Sequence, residues 1–264
     1  MGCYGAAVAR FSVCLQVVRR RPQNPAVRRL SMEKQLNRYI AIALLLVSSA
    51  FSPRASCAEP IAATAQEILD RTYEVYANCR TYRDSGIATD ETNDANGKRT
   101  NKKAVAIAFV RPIKFRYEYV ADDHKYIIWM DGSDVQKWWT ISGTPEKLTS
   151  LDMAVAAAAG VSRLTSVTIP SLLHLDGVYR RDLIRSKDAI RIDDERIGES
   201  DCFRLSGVKH SWDTTIVWIE KSTYLVRRIE CERDLGATRR TRTMTFSPIV
   251  NQPVDKRFLE FNHP

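Results

Sequence analysis

The chain has 264 residues, of which 44% are hydrophobic and 27% are charged, a globular balance that argues against a disordered protein. Its net charge of +9 comes mostly from residues 1–58, which hold nine of the 40 basic side chains and one of the 31 acidic ones. The remaining residues carry 31 basic against 30 acidic groups, which argues against a nucleic-acid-binding protein because such proteins keep a basic surface.

Residues 32–58 have the pattern of a secretory signal peptide. Basic residues after Met32 precede an apolar run of 13 residues from Tyr39 to Phe51. This run is too short for a membrane-spanning helix, which needs about 20 residues, but it suits the h-region of a signal peptide. Small residues at Ser56 and Ala58 predict cleavage before Glu59, which leaves a periplasmic mature domain of residues 59–264.

The residues around this signal raise two further questions. Residues 1–31 do not fit an n-region, so we interpret them as a doubtful N-terminal extension; a second targeting element or a basic tail are the alternatives. Cys57 could in principle carry a lipid anchor. A lipid-attachment motif has an apolar residue three positions before the cysteine, and that position is Arg54. We therefore predict a soluble mature protein rather than a lipid-anchored one.

The mature chain begins with a predicted amphipathic helix from Ile61 to about Asn78, because its apolar residues recur at intervals of three and four. A polar hairpin turn follows at 93–97. Period-two alternation then predicts successive strands at 104–109, 115–119, 126–130 and 135–141.

Two short apolar helices are predicted to interrupt the strands, at Leu151–Gly160 and around Ile169–Leu175. Strand alternation resumes at 189–197, 202–209, 214–220, 224–232 and 239–246. The predicted fold class is α+β: one domain with a strongly curved antiparallel sheet, an incomplete β-barrel of about 9–11 strands in one continuous meander. It has one N-terminal helix and short lid helices inserted in mid-sheet.

Such a sheet must cover its apolar face, and few helices are available to do so. Incomplete cover would leave a cavity for an apolar ligand, whereas complete packing is the alternative. The candidate lining residues are the strand aromatics and the apolar residues of the inserted helices: Phe115, Tyr117, Tyr119, Trp129, Trp138, Trp218, Leu151, Met153, Val155, Leu172 and Leu173.

The order of several short motifs resembles the periplasmic lipoprotein-carrier superfamily of half-barrel proteins, over about residues 61–262. The motifs are the leading helix running into Tyr82-Arg83-Asp84-Ser85-Gly86, then Phe109-Val110-Arg111-Pro112, Phe115-Arg116-Tyr117-Glu118, Asp131-Gly132 before Trp138-Trp139, the hairpin from Thr215 to Ile229, and the closing Phe258-Leu259-Glu260-Phe261.

This resemblance implies a concave sheet that shelters acyl chains of a lipoprotein or lipid, for transport or sorting to the outer membrane, with a membrane transport partner. It implies no cofactor, and it implies that an arginine fixes the empty lid, with Arg111 and Arg116 as the two candidates. The alternative within the superfamily is a sensory or regulatory half-barrel that binds a partner protein or lipid signal.

Catalytic and metal sites are not predicted. His124, His174, His210 and His263 have no spacing that builds a metal site. Cys202 and His210 lack an orienting partner for nucleophilic catalysis, so we expect no enzyme.

Two further assignments concern polar side chains. The alternating Arg239-Arg240-Thr241-Arg242 is interpreted as the outer face of a strand, with lipid-headgroup contact as the alternative. Cys79, Cys202 and Cys231 could form one disulfide and leave one thiol, or could remain as three buried thiols.

Overall fold

A computed structural model describes residues 63–163, 165–173, 188–207 and 214–263. The predicted extension 1–31, the signal peptide 32–58, the cleavage site at Ala58 and Glu59, and His174 and His210 lie outside the described residues. No helix among the described residues is long and apolar enough to cross a membrane.

Helix α1 spans Ala65–Asn78 and matches the predicted N-terminal helix. It begins after Thr64, whose hydroxyl accepts from the Glu67 N–H, while the Glu67 carboxylate accepts from the Thr64 N–H at 2.8 Å. This reciprocal capping satisfies two backbone donors that the first helical turn leaves without partners. The apolar spacing then buries one helix face, with Ile68, Leu69 and Tyr76 at 2% exposure or less.

The described residues form twelve strands in one antiparallel sheet: β1 (Thr81–Asp94), β2 (Gly97–Val110), β3 (Lys114–Ala121), β4 (His124–Asp131), β5 (Asp134–Trp139), β6 (Glu146–Leu148), β7 (Ile190–Ile197), β8 (Ser200–Ser206), β9 (Thr214–Glu220), β10 (Val226–Asp234), β11 (Arg239–Thr245) and β12 (Ile249–Val250). The predicted α+β fold with an open, curved antiparallel sheet is confirmed. The count exceeds the prediction because β6 and β12 are only three and two residues long.

The strand order is β6-β5-β4-β3-β2-β1-β11-β10-β9-β8-β7, and β12 pairs with β1. The sheet is therefore two meanders joined by the β1–β11 pair, and not the single continuous meander that we predicted. Gly86 permits this pairing, because a Cβ atom at that position would lie 2.6 Å from the Thr245 carbonyl oxygen. Edges β6 and β7 do not pair with each other in the described part of the chain.

Strand register divides the side chains between two faces. The inner face carries Tyr82, Ile107, Tyr117, Ile128 and Met244, which are directly paired or linked through the ladder and are all buried. The outer face carries the residues of opposite parity. The two faces follow from the alternation of side chains along each strand.

The helical insert, residues 151–173, interrupts the strands as predicted. It consists of α2 (Leu151–Ser162), a 3-10 turn (Thr165–Val167) and α3 (Ile169–Leu173). Ser150 caps α2 by accepting from the Met153 N–H at 3.2 Å. Helix α2 passes through Gly160 and ends at Arg163, whose φ of 50° is left-handed.

Candidate functional site

An aromatic row on β3 forms the centre of the inner face. Phe115, Tyr117 and Tyr119 have the same parity and are 1%, 0% and 3% exposed. Their neighbours across the ladder on β2 are Phe109, Ile107 and Val105, and on β4 they are Met130, Ile128 and Tyr126. The structure thus assembles three of the predicted cavity residues into one apolar surface.

The helical insert covers this surface with its own apolar side chains. Leu151, Val155, Leu172 and Leu173 are all buried, at 6% exposure or less. Met153 is 52% exposed and therefore points away from the sheet. Four of the five insert residues predicted to line a cavity thus belong to the layer that contacts the core.

Small hydroxyl side chains fix the underside of the insert. The Tyr117 hydroxyl and Thr165 Oγ1 lie 2.6 Å apart, and the Ser166 hydroxyl donates to the Val155 carbonyl at 3.0 Å. Thr168 and Ser171 are also buried and donate to insert carbonyls. Burial raises the pKa of Tyr117, so its hydroxyl keeps its proton. The insert is held partly by directional bonds that can exchange for water.

A small pocket lies beside the insert in the described part of the chain. This pocket, lined by Ala88, Val105, Thr165 and Met244 among others, has a volume of about 10 Å³. That is about the space for one water molecule. The described insert residues cover the aromatic row on β3, so an acyl chain could reach that part of the inner face only if the insert moved.

Arg111 joins the insert to α1. Its Nε donates to the Cys79 carbonyl at 2.8 Å, and Nη2 donates to the Tyr76 carbonyl at 2.9 Å. Nη2 also donates to the carbonyl of Leu173 in α3 at 3.2 Å. The guanidinium lies 5.0 Å from the Phe109 ring centroid, where a cation–π contact adds to these bonds.

Arg116, the other candidate for fixing the lid, lies on the outer face. It donates to the Glu118 carboxylate at 2.9 Å and to the Glu260 carbonyl at 2.6 Å. These partners belong to β3 and to the C-terminal segment, residues 251–263. Of the two arginines, Arg111 is thus the one that contacts the insert.

The predicted set of cavity aromatics does not converge, because Trp129, Trp138 and Trp218 occupy the outer face. Register pairs Trp129 with Arg116, and Trp138 with Ile127. The prediction that these three tryptophans line an inner cavity was therefore wrong. Trp129 is half-buried and Trp138 is buried, because the C-terminal segment covers part of the outer face with its own rings. The ring contacts are Trp129 with Phe261 at 5.6 Å and Trp138 with His263 at 5.9 Å.

Trp218 is covered by charged neighbours. The guanidinium carbons of Arg228 and Arg204 lie 4.7 and 5.4 Å from its ring centroid. Its Nε1 donates to Glu195 at 3.1 Å. A strand aromatic can therefore be buried under arginines, away from the apolar core.

A buried charged cluster on the inner face was missed by sequence reasoning. Asp90 accepts from Lys103 and Arg242, which are only 6% and 2% exposed. Arg242 also donates to the Arg163 carbonyl at the end of α2. Burial by itself would raise the pKa of Asp90, but the hydrogen bonds from Arg242 and Lys103 outweigh burial and lower that pKa.

The prediction of an outer face for the arginine-rich strand was therefore wrong at Arg242. Its inward placement follows from parity, because Met244 and Phe246 lie at alternate positions of the same stretch and are buried. That apolar parity was the signal available in the sequence. The cluster gives the insert a second attachment, at the C-terminal end of α2.

The chemistry of the described residues gives no metal or thiol site. No group of three or more His, Cys, Asp or Glu side chains within the described ranges could hold a metal ion. In the same residues Cys79, Cys202 and Cys231 form no disulfide with one another and are buried. Burial raises the pKa of the Cys202 and Cys231 thiols to about 11, so both stay protonated.

Comparisons with known proteins give distant structural similarity. No curated protein matches the sequence. A LolA superfamily protein of Nitrosomonas europaea is 15% identical, with 75% of this chain and 99% of that chain covered and a TM-score of 0.32. The lipoprotein LppX of Mycobacterium tuberculosis is 12% identical, with 72% and 97% covered and a TM-score of 0.43.

A third similar structure is the MucA/MucB complex of Pseudomonas aeruginosa, at 11% identity, with 75% of this chain and 61% of that chain covered and a TM-score of 0.42. The superfamily that the sequence motifs resemble is thus among the matched structures. Similarity at this level does not assign a ligand or a partner.

The family comparison covers the whole described fold. Residues 65–264, from the start of α1 to the C-terminus, match the model of one family. The match includes both meanders, the helical insert and the C-terminal segment. The chain therefore belongs to the family described as "Predicted periplasmic protein (DUF2092)".

Proposed function

We propose that this protein is an exported, soluble periplasmic binding protein without catalytic activity. Its inner face takes up the acyl chain of a lipid or lipoprotein for transport or sorting to the outer membrane. Export uses residues 32–58 as a signal peptide, cleaved before Glu59. The observation that carries the proposal is an aromatic inner face covered by an insert that Arg111 and small hydroxyl groups hold in place.

The energetics favour an exchange of covers. Displacing the insert exposes Leu151, Val155, Leu172 and Leu173, at a cost of about 1.5–3 kcal/mol for each side chain. An acyl chain on the same surface returns about 0.8 kcal/mol for each buried methylene. A chain of about ten methylenes therefore offsets most of the cost, and binding stays reversible.

Ligand entry requires the Arg111 bond to Leu173 and the Tyr117 contact with Thr165 to break. Each contributes about 0.5–3 kcal/mol, since both groups can bond to water when the insert opens. Helix α1 stays in place in this scheme, because its large side chains fill the core beside Tyr82. The empty protein is therefore closed and the loaded protein open.

The test is the binding of a fluorescent fatty acid to Leu172→Asp and to Met153→Asp. Leu172 is 1% exposed and lies in the insert layer, so a carboxylate there should abolish binding. The sequence analysis placed Met153 among the lining residues as well, but Met153 is 52% exposed, so Met153→Asp serves as the control and should bind normally. Equal binding by both variants would contradict a site under the insert.

A second measurement keeps the test independent of the fold of Leu172→Asp. Native mass spectrometry of wild-type protein purified from periplasm should show co-purifying lipid. Protein that carries no lipid and binds no fatty acid would contradict the proposal. The sensory or regulatory module predicted as the alternative would then be the function to examine.

A further inference from the structure

A row of small residues lies on the outer face of β2. Ala104, Ala106 and Ala108 alternate with Val105, Ile107 and Phe109, which face the core. Alanine is depleted in strands because it packs little surface against its neighbours. Such small residues leave space above the outer face of the sheet. The packing of the inner face does not require small side chains at these positions, because they point the other way.

A pocket lies above two of these alanines. Ala106, Ala108 and Ser85 are among its lining residues, together with Ile249 and Phe258 from the chain that follows β11. Its volume is about 370 Å³, within the range of small-molecule sites. Ile249 and Phe258 are 41% and 47% exposed, so both keep apolar surface available to a ligand.

The charged groups of this pocket are unevenly paired. Glu118 accepts from Arg116, at 2.9 Å. Asp84 accepts from the Tyr82 hydroxyl at 3.0 Å and from the Ser247 N–H at 2.7 Å. Both carboxylates that line the pocket are thus already bonded within the protein.

Arg83 differs from these groups. Its guanidinium carbon lies 5.6 Å from the Phe258 ring centroid, and no carboxylate of the described residues lies within ion-pair distance of it. Asp255, which Arg83 influences electrostatically, forms its ion pair with Arg257 at 2.6 Å. The pocket therefore offers an apolar floor and ring beside a cation that can accept an anionic partner.

We propose that the outer-face pocket is a second ligand site, for a small amphiphile with a carboxylate head. The apolar chain lies on Ala106 and Ala108 against Phe258, and the carboxylate pairs with Arg83. A volume of 370 Å³ corresponds to about a dozen water-sized groups, which suits a chain such as decanoate. This site lies on the sheet face opposite to the one in the proposed function and needs no movement of the helical insert.

The first experiment is calorimetric titration of decanoate into the wild type and into variants of the outer-face pocket. Ala106→Leu fills the pocket with a larger side chain and should weaken decanoate binding by tenfold or more. Ala104→Leu is the matched control, because Ala104 is exposed on the same strand and face but does not line the pocket. If Ala106→Leu does not fold, Ser85→Leu fills the same space from β1.

The head group is tested by comparing decanoate with decanol. Arg83→Gln should weaken decanoate binding about tenfold and leave decanol unchanged. Lys102→Gln removes a charge from the same face of β2 outside the pocket and should change neither. Undiminished decanoate binding by Ala106→Leu and Ser85→Leu would overturn the site, and equal effects of Arg83→Gln on both ligands would overturn the carboxylate assignment. Sensitivity to Leu172→Asp alone would place all binding on the inner face.

Discussion

Helix α1 and the helical insert both cover the inner face, but they bury different side chains. From α1, Ile68, Leu69 and Tyr76 fill the core, and the Tyr76 hydroxyl accepts from the Val226 N–H at 3.2 Å. In the insert, α2 buries the small side chains of Ala154 and Ala158 at 0% exposure, whereas α3 buries Ile169, Leu172 and Leu173 at 1% or less. Since burial energy scales with apolar area, we expect α1 to be the permanent cover and α2 to be the part of the insert that leaves the sheet at the lowest cost.

The attachments of the insert differ in the same way. It is tied by arginines at two points, by Arg111 at Leu173 in α3 and by Arg242 at Arg163 directly after α2. Such bonds are specific in direction but can be replaced by water, whereas close apolar packing cannot. We therefore expect the helical insert to close in one position on the sheet and to move away from it as a single unit.

The largest expected effect comes from the buried charged cluster. Asp90→Asn leaves Lys103 and Arg242 without their carboxylate, which should lower the free energy of unfolding by about 3–5 kcal/mol. Urea denaturation measures this change. The matched control is Asp94→Asn in the exposed β1–β2 hairpin, where the pair with Arg99 is worth only about 0–1 kcal/mol. Equal losses would mean that the cluster does not tie the insert to the sheet.

The same cluster gives a pH dependence. The folded-state pKa of Asp90 lies below its ordinary value of 3.8, so its contribution is complete above that pH and is lost as the pH falls through the folded pKa. Asp90→Asn should therefore show a flatter loss of stability in acid than the wild type. Asp94→Asn should follow the wild-type curve.

The two covers can be compared directly with Ile68→Ala in α1 and Val155→Ala in α2. The first should cost about 2–5 kcal/mol, because it leaves a cavity in the packed core. The second removes the equivalent of two methylenes and should cost about 1.5 kcal/mol. Urea denaturation measures both. A larger loss for Val155→Ala would reverse the assignment of permanent and movable covers.

The smallest expected change in stability comes from Arg111→Gln, which should affect the insert more than the whole fold. Amide hydrogen exchange in residues 151–173 should speed up by about tenfold or more, because each lost charged hydrogen bond is worth about 1.5–3 kcal/mol. Arg116→Gln is the control, since Arg116 contacts the C-terminal segment on the other face. If hydrogen exchange in the insert became faster with Arg116→Gln but not with Arg111→Gln, Arg116 and not Arg111 would be the arginine that holds the insert.

The elements that could be predicted from the sequence are those with local signals. The spacing of Ile68, Leu69, Thr72 and Tyr76 gave α1, and alternation gave the strands on either side of the insert. The motif at 109–112 also supplied Arg111 as a candidate, although not its partners. Local periodicity suffices for these features because each depends on residues a few positions apart.

What the sequence alone determined was therefore a set of strands, one amphipathic helix and an apolar insert between them. The pairing of β1 with β11, segments about 150 residues apart, was decided only by the tertiary structure. That pairing directs Arg242 toward Asp90 in the interior, and the register of the β1–β5 meander leaves Trp129 and Trp138 outside, under the C-terminal segment. Alternation indicates that neighbouring side chains point to opposite faces, but only contacts between distant segments determine which side chains meet on each face.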